Sequence, residues 1–235
     1  MGLLGDVVAF FNDRESWRGS DGLSRLLYQH VWISIMAMAI AAAIALPVGL
    51  VLGHLRRGET LAVNVANIGR AMPSFAVLVI ALQVLSIGTG PALVALVVLA
   101  IPPMVTNSYV ALAGVEDDPR EAARGMGMTG WQLFRRVELP LGIPLVMAGV
   151  RTAAVQVVAT ATLAALVGYG GLGLLIVRGL RTGDNVEVFA AAFTVAVLAL
   201  TTELGLAFVQ RRLTPRGIRR VDDAPPLAPL PDPLI

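Results

Sequence analysis

Residues 31–53, VWISIMAMAIAAAIALPVGLVLG, carry no charged side chain and are bounded by His30 and His54. A helix of that length rises about 35 Å, enough to cross a hydrocarbon layer of about 30 Å. Pro47 lies inside the stretch, where a bilayer tolerates a kink. The remainder of the 235-residue chain has the same character, with 56% hydrophobic and 14% charged residues and a mean hydropathy of +0.76. Soluble domains carry about a quarter charged residues, so this chain lacks the polar side chains to cover an aqueous globule. We expect an all-α integral membrane protein in one compact domain. Cysteine is absent and all 18 basic residues are arginine. That excludes disulfides, thiolate metal sites, a Walker lysine and Schiff-base chemistry.

Further apolar stretches follow the first. Residues 61–87 are interrupted by Arg70 and by Met72-Pro73-Ser74, which predicts a broken or kinked span because proline removes a backbone donor. Residues 91–115 carry Pro102, Pro103 and Asn107, residues 139–167 carry Arg151 and Gln156, and residues 188–208 complete the series. With the first span at about 31–54, these make five spans within a transmembrane domain at 30–213. An extracytoplasmic segment, 1–29, precedes it, and a basic, Pro-rich tail, 214–235, follows it. The last 15 residues of that tail hold five prolines and read as disordered.

Arginine placement orients the chain. With the N-terminus outside, Arg56, Arg57, Arg120, Arg124, Arg135, Arg136, Arg211, Arg212, Arg216, Arg219 and Arg220 lie inside, 11 in all, against five outside. An odd number of spans, N-terminus out and C-terminus in, fits this asymmetry. No basic n-region precedes an apolar core and a cleavage site, so no cleaved signal is expected and the first span directs insertion.

The inner loop at 116–138 differs in kind, with five acidic and four basic side chains in 23 positions. Its first part, Asp118 to Thr129, reads as a short helix opened by Pro119 and stopped by Gly125 and Gly127. A second helical piece, Trp131 to Val137, precedes Pro140, which is expected to start the next span. Two short helices facing the cytosol form a docking element. Glu121-Ala122-Ala123, three residues, Gly127, nine residues, then Val137-Glu138-Leu139-Pro140 resembles the EAA loop of bacterial ABC importer permeases. Val137 replaces the isoleucine more usual there.

In that family the first short helix sits in a groove of an ATPase subunit and transmits its closure to the spans. The resemblance therefore implies coupling roles for Glu121, Ala122, Ala123, Gly127, Val137, Leu139 and Pro140. It also implies an ABC importer permease fold, no catalytic residues or cofactor in this chain, and ATP and Mg on the partner ATPase. The implied partners are ATPase subunits, a second permease subunit, an extracytoplasmic substrate-binding protein and membrane lipid, without nucleic acid, in the bacterial cytoplasmic (inner) membrane. Met72-Pro73-Ser74-Phe75, residues 101–107 and residues 160–173 are similar to the osmoprotectant branch, which serves glycine betaine, carnitine and choline. Methionine-type permeases share the plan and remain the alternative.

Other features admit rival readings. Gly168-Tyr169-Gly170-Gly171-Leu172-Gly173 satisfies the dinucleotide fingerprint, but it follows a membrane span rather than a strand, so close packing at a re-entrant turn is the expected use. His30 and His54 are separated by about 36 Å along one helix, cannot share a metal, and are expected at the headgroup level. Asn107, Gln83 and Gln156 are pathway candidates, with structural hydrogen bonding as the other use of Asn107. Arg70 and Arg151 are expected to snorkel, and Glu203 to sit at the interface. No aromatic cage for a quaternary ammonium group is visible, which assigns selectivity to the binding protein. Gly49 and Gly53 form a small-xxx-small pair, within or between subunits.

Overall fold

A computed structural model describes residues 2–215, apart from the side chain of Arg70. The elements are α1 (Leu3–Asn12), α2 (Leu23–His54), α3 (Glu59–Ala71), α4 (Ser74–Val84), α5 (Thr89–Ala113), α6 (Asp117–Gly125), α7 (Gly130–Leu133), α8 (Leu139–Thr160), α9 (Gly173–Thr182) and α10 (Asn185–Leu213). A π-helical turn, Phe134–Glu138, joins α7 to α8, and a 3-10 helix, Ala161–Val167, extends α8. Leu23–His54, Thr89–Ala113, Gly130–Val167 and Asn185–Leu213 are each long and apolar enough to cross a membrane.

The centre is a seam of small residues. On α2 the buried positions include Ala37, Ala41, Ala45, Gly49 and Gly53, one every fourth residue, which places them on one helix face. That face lies against α5 so closely that a Cβ on Gly49 would stand 2.6 Å from the Val105 carbonyl oxygen, and one on Gly53 2.6 Å from that of Tyr109. The glycine pair thus packs within the subunit, as part of a longer seam. On the other side of α5, a Cβ on Gly149 would meet the Asn107 Cβ at 2.6 Å, and one on Gly142 the Ala111 carbonyl at 3.1 Å. Dispersion at such close backbone approach replaces the hydrophobic effect, which cannot drive helix against helix in lipid.

These contacts also fix direction. Gly49 then Gly53 meet Val105 then Tyr109, so α2 and α5 run parallel, whereas Gly142 then Gly149 meet Ala111 then Asn107, so α8 runs antiparallel to them. Parallel neighbours require the intervening chain to return to the starting end. α3 and α4 together make that crossing, broken at Pro73 and bent by 89°. Gly88, just beyond α4, then donates to the Val167 carbonyl at the far end of α8. α10 runs antiparallel to α8, since Gln210 reaches the Pro144 carbonyl while Glu203 pairs with Arg151. The described chain therefore crosses five times.

Several expectations are corrected. α2 begins at Leu23, eight residues before the charge-free run, and residues 3–12 form a helix that packs on α10 through Phe11 and Phe193, 6.0 Å apart. Helix α10 extends to Leu213. Helix α6 ends at Gly125 rather than Thr129. Pro140 lies in the first turn of α8, within a helical run unbroken from Gly130 to Val167. The π turn before it widens the helix where the proline ring would otherwise strike the preceding turn. Arg70 and the tail beyond Pro215 lie outside the described residues.

Candidate functional site

A half-open cavity of about 450 Å³ lies where α3 breaks from α4, between α5 and α8. Gly69, Met72 and Ser74 line it from the break, Pro102, Pro103, Thr106 and Asn107 from α5, and Thr152, Gln156 and Thr160 from α8. Pro102 and Pro103 lie inside α5 and lack the amide hydrogens that would bond the Val98 and Leu99 carbonyls. Asn107 lines the cavity and also donates from Nδ2 to the Pro103 carbonyl at 2.8 Å, so it makes its structural hydrogen bond from a position on the cavity wall. Gln156 joins it on the facing wall. Gln83 does not: the bend carries the last turn of α4 away, and Gln83 is exposed. Among the described residues the lining holds no ionisable and no aromatic side chain.

The second candidate surface is α6 with α7. Glu121, Ala122, Arg124, Gly125 and Gly127 are exposed, whereas Ala123 is buried against the body. Gly127 has φ +79, and a Cβ there would meet nothing within 4 Å, so its requirement is backbone conformation and not space. Thr129 and Gln132 form a reciprocal capping box that starts α7. Val137, Leu139 and Pro140 are half-buried along the π turn and the first turn of α8.

Residues that sequence reasoning passed over lie beneath this surface. Arg120 and Glu138 are buried and paired, and Glu138 also accepts from His54 Nδ1 at 2.5 Å. The carboxylate is 18 positions from Arg120 and 84 from His54, so no local pattern announces the group. The capping box was legible as Thr129-x-x-Gln132.

At the opposite end, residues 168–171 turn the chain back with φ of +79, +102 and +72 at Gly168, Gly170 and Gly171. Gln29 anchors the turn, its side-chain oxygen accepting from the Gly171 amide and its carbonyl from the Tyr169 hydroxyl. Burial pushes the Tyr169 phenol above its ordinary value, which further favours the protonated form that donates this bond. His30 is fully buried, and its Nε2 donates to the Val158 carbonyl just before α8 tightens into 3-10 helix. Arg151 and Glu203 pair with each other, and Arg151 also donates to Gln210.

Residues 45–216 match the family described as binding-protein-dependent transport system inner membrane component. The chain belongs to that family. Among relatives of this inner membrane component, the glycine betaine/carnitine/choline transport system permease protein OpuCB of Bacillus subtilis (strain 168) is 36% identical over 83% of this chain and 91% of its own length. The carnitine transport permease protein OpuCB of Listeria monocytogenes is 38% identical over 91% of this chain and 95% of its own. An inward-facing structure of the MetNI methionine ABC transporter superposes with a TM-score of 0.72 at 25% identity, covering 82% of this chain and 96% of that one. The chain thus has the ABC importer permease fold in a multi-pass membrane protein.

Proposed function

We propose that this protein is the permease subunit of an ATP-driven importer for osmoprotectants such as glycine betaine, carnitine or choline. The observation that carries the reading is the pairing of an EAA-type segment, Glu121 to Gly127, mostly exposed on α6 and the turn after it, with a half-open cavity between α3, α5 and α8 whose described lining carries no ionisable side chain. The names of the relatives support the substrate class. A neutral lining suits it as well, because a zwitterion or a cation delivered by a binding protein needs a hydrated passage and not a tight site. Asn107 and Gln156 then line the pathway, and a second permease subunit, identical or homologous, closes the open side. Glu121, Ala122, Ala123, Gly127, Val137, Leu139 and Pro140 belong to the surface through which ATPase closure reaches the spans. ATP and Mg reside on that partner.

The orientation we propose puts the N-terminus outside, with α6 and its arginines in the cytosol of a bacterium. Co-purification after gentle solubilisation, followed by uptake of radiolabelled betaine, carnitine, choline and methionine into reconstituted vesicles, tests the reading. ATP-dependent betaine, carnitine or choline uptake is expected. Uptake of methionine alone would favour the other branch, to which the likeness to the methionine transporter points.

A further inference from the structure

α6 buries only Arg120 and Ala123, so apolar packing cannot by itself hold a helix that must push on the spans. Beneath it lies one buried carboxylate. Glu138, fully buried in the π turn ahead of α8, receives Arg120 Nε at 2.7 Å and Arg120 Nη2 on Oε1, and His54 Nδ1 at 2.5 Å on Oε2. Arg120 Nη2 also donates to the His54 carbonyl at 3.0 Å, capping the C-terminal end of α2. The His54 ring stands edge-on to Phe134 at 5.6 Å, and Phe134 stacks on Trp131 at 5.3 Å. Beside this cluster Arg56, at φ +49, bonds Asp117 and the Val115 carbonyl, a left-handed conformation that a non-glycine residue keeps only when its surroundings hold it.

We infer that Glu138, with Arg120 and His54, is the positioning residue that ties the coupling helix to two spans at once, α8 through the backbone that carries it and α2 through His54. This rests on the proposed transport function. Its mechanical content is that α2, α5 and α8, already locked by the glycine contacts, follow α6 as one body, so that the cavity wall formed by α5 and α8 turns when the ATPases close. An α6 attached to α8 alone would instead bend the helical run at its π turn.

The test uses the full complex of permease, ATPase and binding protein in vesicles. Glu138→Gln keeps the shape of the side chain and removes the charge that Arg120 and His54 share. The complex is expected to assemble and to hydrolyse ATP, with a lowered thermal midpoint because Arg120 loses its buried counter-charge, while solute moved per ATP falls about tenfold. Arg120→Lys, which keeps the charge but loses the two-nitrogen contact, should show a smaller fall of the same kind. His54→Ala should lower the ratio by itself and add nothing to Glu138→Gln, because both act through one contact. Uptake and hydrolysis falling in parallel, an unchanged ratio, or failure of both Glu138→Gln and Arg120→Lys to assemble would each overturn the inference by making the cluster a folding element. A wild-type complex that hydrolyses ATP but moves none of the four solutes would overturn the functional reading instead.

Discussion

Glycine at 49 and glycine at 205 sit in helices of similar apolarity, yet they face opposite fates on substitution. A Cβ at Gly49 meets the Val105 carbonyl at 2.6 Å, whereas nothing lies within 4 Å of one at Gly205. Gly49→Leu should therefore cost about 1–3 kcal/mol by forcing α2 from α5, seen as a lowered thermal midpoint of the purified protein, while Gly205→Leu leaves the midpoint unchanged. Equal midpoints would remove the seam from the account of stability. Gly127 presents the other kind of glycine requirement. Gly127→Val meets no atom but must hold φ +79, a penalty of about 1–2 kcal/mol local to the loop. Uptake should fall while the membrane level of the protein persists, and normal uptake would show that the turn is dispensable. The two residues read alike as letters. Only their neighbours distinguish crowding from backbone strain.

Among the four long apolar helices, α10 is the least buried within the subunit. Only 6% of its apolar window is buried within the subunit, and its link to α8 is the Arg151–Glu203 pair, the Arg151–Gln210 bond at 2.7 Å and the Gln210 bond to the Pro144 carbonyl at 3.1 Å. Removing one charge leaves the other in apolar surroundings, about 2.5–3.5 kcal/mol on membrane-insertion scales. Glu203→Leu and Arg151→Met should each lower thermal stability by that order, and the double variant should recover most of the loss, because neither charge is then unpaired. Losses that simply add would show that the two side chains do not depend on each other. At this scale the α3–α4 break was legible from Met72-Pro73-Ser74, since proline speaks locally. The pairing of Arg151 with Glu203 was not, because 52 residues separate them in the chain and each reads alone as an interfacial charge.

For the whole molecule, parallel packing of α2 and α5 with antiparallel α8 and α10 means five crossings, and so opposite sides for the two ends of the described chain. The chain has no cysteine, so single introduced thiols report sidedness cleanly. With a membrane-impermeant thiol reagent applied to intact cells, Ser20→Cys should be labelled and Arg212→Cys protected until the membrane is opened. Labelling of both from one side would exclude the five-crossing path, and the reverse pattern would exclude the proposed orientation. Sequence by itself determined the membrane class, the approximate spans, the break at Pro73 and the EAA-type loop, because uncharged length, proline and spaced motif residues are local properties of the chain. Tertiary structure alone decided that small residues every fourth position on α2 form the central seam, that Gln83 leaves the cavity while Gln156 enters it, and that one buried carboxylate gathers Arg120 and His54. Those depend on which distant helix faces which, and a charge acquires its meaning in an apolar medium only from the partner that folding brings to it.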